Sequence, residues 1–298
     1  MTNQASKYQL EPNREFGFLQ VRPTPSAEEI TRFYADEFYS NQYRGFNNSS
    51  LEVQLKDPEF HRAHWEDMSK TIEQLSGRTL VGQQILDVGC GWAQALSFFS
   101  KKGALCYGFD PASEAVEYAS RQGLNVRRAG METMDVFPGK KFDVVTLMNV
   151  LEHLSNPVAV MNEIRRSVLK PGGVLIVEVP NEFNAFQVCG QKVHKLPEWW
   201  VAPPAHLNYF SNDSLCRLLS GTGYVVSRTE ASFPMEMFLL FGENYVGNKE
   251  LGRECHARRV AFETNLRCNG YEEFLRRFYQ FLAQQNLGRQ VTAYALAS

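Results

Sequence analysis

Short apolar runs alternate with amphipathic stretches through the middle of the chain. From residue 83 on, "QQILDVG", "ALCYGFD", "NVRRAG", "FDVVTLMN", "GVLIVEVP" and "GYVVSRTEA" read as strands. Between them "AQALSFFSKK", "SEAVEYASRQG", "PVAVMNEIRRSVLK" and "NDSLCRLLSGTG" carry helical spacing, and Gly103, Gly123 and Gly172 stand where helices should stop. Strands of this length separated by helices imply a parallel sheet covered on both faces, a doubly wound α/β architecture. Ligands of such folds bind beyond the C-terminal strand ends, near the switch in strand order.

The flanks pattern differently. Residues 1–80 read as a helical N-terminal lead-in. Ser26 and Glu29 make a capping box before an apolar-periodic run, and Asp57, Pro58 and Gly77 frame a second helix as cap, first residue and stop. The tyrosine-bearing loop between them offers Phe38, Tyr39 and Tyr43 either as an aromatic lid or as ordinary packing. Residues 81–232 hold the α/β core. Residues 233–298 read as a helical acceptor-side segment that closes on "RQVTAYALA", a candidate last strand. If that strand forms, the helices are an insertion between the sixth and seventh strands; a separate C-terminal cap is the other reading.

Composition acts mainly by exclusion. The 298 residues are 44% hydrophobic and carry a formal net charge of −2, so no global field draws the chain to nucleic acid or to an anionic membrane. The six cysteines form no C-x-x-C pair, the usage of a reducing compartment. The first residues hold no apolar run and no window approaches a membrane span. The expectation is a cytoplasmic protein without nucleic-acid or membrane partners; its oligomeric state is left open.

Candidate chemistry begins at "ILDVGCGWAQAL", from Ile85 to Leu96. Gly89 and Gly91 let backbone approach a ligand, because no Cβ stands in the way. Asp110 follows the second strand, where a carboxylate can take both hydroxyls of a ribose. A dinucleotide site would want a third glycine where Gln94 stands, so the turn suits pyrophosphate poorly. A nucleoside with a zwitterionic tail, S-adenosylmethionine, suits it better. Met131 and Glu132 lie just past the third strand, where an adenine would sit.

On "LDVGCG", "GFDPA", "FDVVTLMNVLEHLSNP" and "LKPGGVLIVEVPN", the chain resembles class I S-adenosylmethionine-dependent methyltransferases. The resemblance is strong over about 83–232 and nearest the small-molecule branch that includes ubiquinone-type O-methyltransferases and sugar methyltransferases. Ala93 replaces the third glycine of that family's turn. The resemblance implies a Rossmann-like seven-stranded sheet of order 3-2-1-4-5-7-6 with an antiparallel last strand. It also implies cofactor roles: Gly89 and Gly91 at the methionine end, Asp110 on the ribose, Met131 and Glu132 around the adenine, and Asn149 closing the site through its backbone. The tail beyond 233 is similar to one seen on methyltransferases of surface-polysaccharide loci.

An alcohol or phenol acceptor must lose a proton, so a general base is sought. His153, just past the fourth strand, and His206, in the stiff loop "LPEWWVAPPAHLNYFS", are the catalytic candidates. Against them stand plain readings: Glu152 and His153 as caps, His206 bonded to loop backbone, and Trp199 and Trp200 as loop core. No metal is expected, since His61 and His64 share a helix face without a third ligand, and that face reads as solvated. In the tail, His256, Arg259 and Glu263 form a helical stripe, read as a solvated face with i, i+4 ion pairs ahead of an anion site. The expected activity is methylation, oxygen favoured, of a small hydroxylated acceptor such as a sugar or nucleotide sugar. The rivals are a catalytically inactive cofactor-binding module, a nicotinamide-dependent oxidoreductase and a nucleic-acid methyltransferase.

Overall fold

A computed structural model describes residues 7–26, 29 and 51–298. In chain order, β1 (Gln9–Pro12) and β2 (Leu19–Arg22) precede α1 (Pro58–Ser76). The core then runs β3 (Gln84–Val88), α2 (Gln94–Lys101), β4 (Leu105–Asp110), α3 (Ser113–Arg121), β5 (Asn125–Arg128), β6 (Phe142–Met148), α4 (Pro157–Glu163) and β7 (Leu169–Pro180). It continues through α5 (Ala185–His194), β8 (Asn208–Tyr209), α6 (Asn212–Gly221) and β9 (Tyr224–Ala231). Last come α7 (Glu236–Leu240), α8 (Lys249–Cys268), α9 (Glu272–Gln284) and β10 (Gln290–Ala297).

Seven strands form one sheet in the order β5-β4-β3-β6-β7-β10-β9. Numbered by their own succession, that is 3-2-1-4-5-7-6. β10 pairs antiparallel with both β7 and β9, and the strands from β5 to β7 pair in parallel. Alternate side chains serve opposite faces, as strand geometry demands. Ile85, Val144 and Ile176 pack on one side with Met68 and Ile72 of α1 and Phe99 of α2. Leu86, Val145 and Val177 pack on the other with Met161 of α4 and Leu218 of α6. α7 to α9 are therefore an insertion between the sixth and seventh strands of the sheet.

Two local expectations are corrected. Residues 9–12 and 19–22 are strands, not part of a helical lead-in; they form a three-stranded sheet with β8, and Leu19 pairs with Tyr209. Four-residue strands completed by a partner so distant in sequence leave little local pattern. Gly172 is not a helix stop either. The turn at Ile164–Val168 already ends the helix, and Gly172, at φ 70°, sits where the ladder jumps from Phe142↔Leu169 to Val144↔Val174. The capping box is present: Ser26 and Glu29 exchange bonds of 2.8 and 3.2 Å. The run it opens, with Phe38, Tyr39 and Tyr43, lies outside the described residues. Asp57 makes no side-chain cap, its carboxylate meeting His256 at 3.2 Å. Among the described residues no helix is long and apolar enough to cross a membrane.

Candidate active site

The sheet order reverses between β3 and β6, and in folds of this kind the ligand cleft lies beyond the C-terminal ends of such strands. After β3 the chain turns sharply. Gly89 and Cys90 both donate backbone N–H to the Phe109 carbonyl, at 2.9 and 3.1 Å. Gly89 has φ 68°, and a Cβ there would lie 2.6 Å from Val150 Cγ2 and 3.5 Å from Met131 Sδ. Only glycine fits. Ala93 holds the left-handed conformation at φ 56° as the residue before α2, where related turns carry glycine. A left-handed alanine costs about 1–2 kcal/mol.

Asp110 ends β4 and is 5% exposed. One carboxylate oxygen accepts the Gly91 N–H at 2.9 Å and the other the Ala112 N–H at 2.8 Å. Each oxygen keeps a lone pair. Burial raises its pKa, against the pull of those two bonds. Beneath it Asp87 accepts from the Thr146 hydroxyl at 2.6 Å, and burial pushes its carboxyl up to about 7.

Met131 is half-buried against the core. Glu132 is exposed and accepts from the Ser155 amide at 2.5 Å and its hydroxyl at 2.7 Å. Asn149 follows β6 at φ 56°, its N–H donating to the Glu178 carbonyl at 2.8 Å. Its side chain donates to Glu178 Oε1 at 3.2 Å and accepts from Gln290 at 2.8 Å. Burial alone would raise the Glu178 carboxyl, but bonds from His64, Thr292 and Asn149 hold it below the usual range. His64, expected on a solvated face, thus pairs with a buried carboxylate at 3.3 Å.

Past Asn149, Leu151–His153 form a single tight turn. Asn208, 1% exposed, clamps it by donating to the Leu151 and Leu154 carbonyls at 3.2 and 2.7 Å. Leu207 N–H donates to the Glu152 carbonyl at 2.8 Å. These bonds bring His153 and His206 to a ring separation of 5.1 Å. His153 Nδ1 lies 2.6 Å from the Ala205 carbonyl, and burial beside His206 drives its pKa down to about 3. His206 Nδ1 lies 3.5 Å from Glu182 Oε1. Burial opposes charge on His206, but Glu182 and Glu152 overcome it and raise its pKa. Glu152 is 2% exposed, and burial pushes its carboxyl up to about 8. Trp200 is buried with Val21 and Tyr209, which makes it loop core. In the tail Arg259 pairs with Glu263 at 3.2 Å, the ion pair expected of that helix, but the face is not solvated: Glu263 is buried and also accepts from the Tyr279 hydroxyl at 2.8 Å.

The structure thus gathers Gly89, Gly91, Asp110, Met131 and Asn149 around the strand ends, and His153 with His206 beside them. Sequence reasoning missed Glu182 and Asn208, and it read Glu152 only as a cap. No local pattern announces them: Glu182 follows β7 and Asn208 lies in β8, both far along the chain from His153.

Comparison with known proteins agrees with this geometry. A methyltransferase domain model matches residues 60–229, more than half of the chain. The ubiquinone biosynthesis O-methyltransferase of Haemophilus ducreyi is 32% identical over 118 residues, 36% of this chain and 50% of that protein. The protein of the same name from Xanthomonas oryzae pv. oryzae is 34% identical over 121 residues, 38% of this chain and 50% of its own. The chain spans about half the length of these curated relatives. Among solved structures, the plantazolicin methyltransferase BamL in complex with SAH shares the fold at a TM-score of 0.55 and 14% identity, covering 90% of this chain and 94% of that one. A SAM-dependent methyltransferase from Archaeoglobus fulgidus shares it at 0.52 and 15%, covering 83% and 100%. Sheet order and domain match converge: the chain belongs to the methyltransferase domain family and has the class I methyltransferase fold.

Proposed function

We propose that this protein methylates an oxygen of a small hydroxylated acceptor, a sugar or nucleotide sugar in particular. The observation that carries the reading is the Glu182–His206 pair, set beside His153 on the turn that begins at Val150, the residue against Gly89.

The cofactor half fits an adenosyl group. Asp110 has lone pairs left for a ribose diol, and the space that a Cβ at Gly89 would fill lies against Met131 and Val150, an apolar wall for an adenine. Glu132, occupied with Ser155, keeps acceptor capacity for an amino group. Bound S-adenosylmethionine supplies a methyl on sulfonium sulfur, and an acceptor oxygen lone pair forms the O–CH3 bond as the S–CH3 pair returns to sulfur.

The chain's own groups prepare the acceptor. His206, backed by the Glu182 carboxylate, takes the hydroxyl proton and releases it to solvent. His153, far less basic, serves as wall and orienting group. Arg289, bound to Glu236 at 2.8 Å and with its side chain 39% exposed, offers a cation to an acceptor phosphate. The names of the curated relatives, both O-methyltransferases, support oxygen as the nucleophile.

Two titrations test this. Asp110→Ala removes a charged acceptor of at least two hydrogen bonds, each worth about 1.5–3 kcal/mol. S-adenosylhomocysteine should therefore bind the variant at least about 100-fold more weakly in calorimetry. A thermal-shift panel run with S-adenosylhomocysteine should stabilise with nucleotide sugars and not with their neutral, dephosphorylated counterparts. A wild type that ignores S-adenosylhomocysteine at millimolar levels would end the cofactor reading.

A further inference from the structure

Beside the candidate base stand more buried carboxyl groups than a lone base needs. Glu152 and Glu182 are 2% and 7% exposed, and each has an Oε2 without a hydrogen-bond partner among the described residues. A buried carboxylate left so is costly unless a cation meets it. His206 lies beside both carboxyls, its Nδ1 3.5 Å from Glu182 Oε1 and a ring nitrogen within 4.8 Å of a Glu152 oxygen, while Arg289 is engaged by Glu236.

The donor set points to an ion. Glu152, His153 and His206 each offer one ligand atom, and those atoms all lie within 4.8 Å of one another. Glu152 Oε1 and His153 Nε2 are 3.7 Å apart. Ligands on a tetrahedral ion at metal–ligand distances of about 2.0–2.1 Å sit roughly 3.3 Å from each other, so binding draws the three atoms inward. The surroundings match as well. Metal-bound histidines hand their other ring nitrogen to a carbonyl or carboxylate. Here His153 Nδ1 sits on the Ala205 carbonyl at 2.6 Å, and His206 Nδ1 faces Glu182 at 3.5 Å. Asn208 holds the turn that carries two of the three ligands.

We propose that Glu152, His153 and His206 bind one divalent transition-metal ion, of which Zn2+ is the first to test, with a coordination position left open to the acceptor oxygen. Two nitrogens and one carboxylate suit a first-row ion better than Mg2+ or Ca2+, and three protein ligands leave room for a fourth partner. The ion site stands on its own geometry; its contact with the acceptor rests on the function proposed above. With the ion bound, His206 and His153 would hold it and the ion would favour loss of the hydroxyl proton to solvent; without the ion, His206 takes that proton as described above.

The test reads binding, not turnover. The full chain, with exposed Cys189 and Cys268 changed to serine so that they take no ion, is dialysed against chelator and titrated with Zn2+. One ion per chain is expected. His206→Ala and Glu152→Gln should each weaken uptake at least 100-fold, and Glu182→Gln, which removes only the carboxylate behind His206, about 10–100-fold. His256→Asn, at the Asp57 pair on α8, should change nothing. Co2+ in place of Zn2+ should give the strong visible absorption of a four- or five-coordinate site, absent in His206→Ala. S-adenosylhomocysteine titration of each variant verifies that it is folded, because the cofactor half does not use these residues. Zn2+ bound equally by wild type and His206→Ala, or not bound by wild type, overturns the site. Failure of S-adenosylhomocysteine binding with Zn2+ uptake intact would instead count against the cofactor reading alone.

Discussion

The two halves of the cleft are built by different means. The cofactor half is mostly backbone: a turn anchored on the Phe109 carbonyl and tied to Asp110 through the Gly91 and Ala112 amides. Its parts come from the turns that follow β3, β4, β5 and β6, neighbours in the sheet. The acceptor half is mostly side chain: Glu152, His153, Glu182 and His206, drawn from three separate segments and clamped by Asn208. The first half tolerates few changes of shape and the second few changes of charge. That contrast gives each half its own failure mode.

The sharpest break is Gly89→Val. Its Cβ would lie 2.6 Å from Val150 Cγ2, on a backbone at φ 68°. Overpacking costs about 1–3 kcal/mol and the left-handed conformation roughly 1–2 more. Urea denaturation should show a loss of that combined size, and S-adenosylhomocysteine binding should vanish. A stable variant that still bound the ligand would mean the turn is not the shape-limited element.

His206→Ala attacks charge and not shape. Once an acceptor is in hand, kcat should fall by about 100- to 10,000-fold with S-adenosylhomocysteine affinity unchanged. His206 has a raised pKa, and a base works deprotonated, so the acid limb of the wild-type kcat/KM profile should lie above an ordinary histidine's and move down in Glu182→Gln. His153→Ala discriminates further. A loss of only about tenfold fits a lone His206 base; a loss equal to that of His206→Ala fits a shared ion.

Glu152 supplies a smaller, thermodynamic effect. Burial raises its folded-state pKa to about 8, above an unfolded value near 4.5. The folded form therefore prefers the proton, and that contribution is fully present below pH 4.5 and lost as pH climbs through about 8. In chelator-treated protein, wild type should lose stability relative to Glu152→Gln between pH 5 and 9, as read by urea midpoints. Parallel curves would show that a neighbouring cation, not a proton, satisfies the carboxyl.

How far each half could be read in advance follows from the same contrast. All seven strands of the main sheet stand where the apolar runs lie, because central strands buried on both faces are written in continuous hydrophobic residues. Gly89, Gly91 and Asp110 were visible because backbone approach and one placed carboxylate need fixed local spacing. β1 and β2 were not, since their sheet is completed by Asn208–Tyr209 from the far end of the core. Glu182 joins the site through the folded path of β7, and the turn that carries Glu152 is bonded to Leu207 and Asn208, more than fifty residues on. Side-chain sites assembled from distant segments have no period to read.

The mildest change probes the backbone claim most directly. Asn149 sits at φ 56° with its N–H on the Glu178 carbonyl, a bond that glycine keeps. Asn149→Gly relieves roughly 1 kcal/mol of left-handed strain. It gives up side-chain bonds to Glu178 and Gln290, each worth about 1 kcal/mol net. Glu178 keeps His64 and Thr292, so its carboxylate does not lose all its partners. Gain and loss nearly cancel, so stability should change by about 1 kcal/mol or less and S-adenosylhomocysteine affinity by no more than about fivefold. Asn149→Val loses the same bonds and adds a β-branched side chain in a conformation it rarely adopts, so it should do far worse. If calorimetry instead showed the glycine variant as damaged as the valine one, the Asn149 side chain would be touching the cofactor, and this half of the cleft would not be backbone-built.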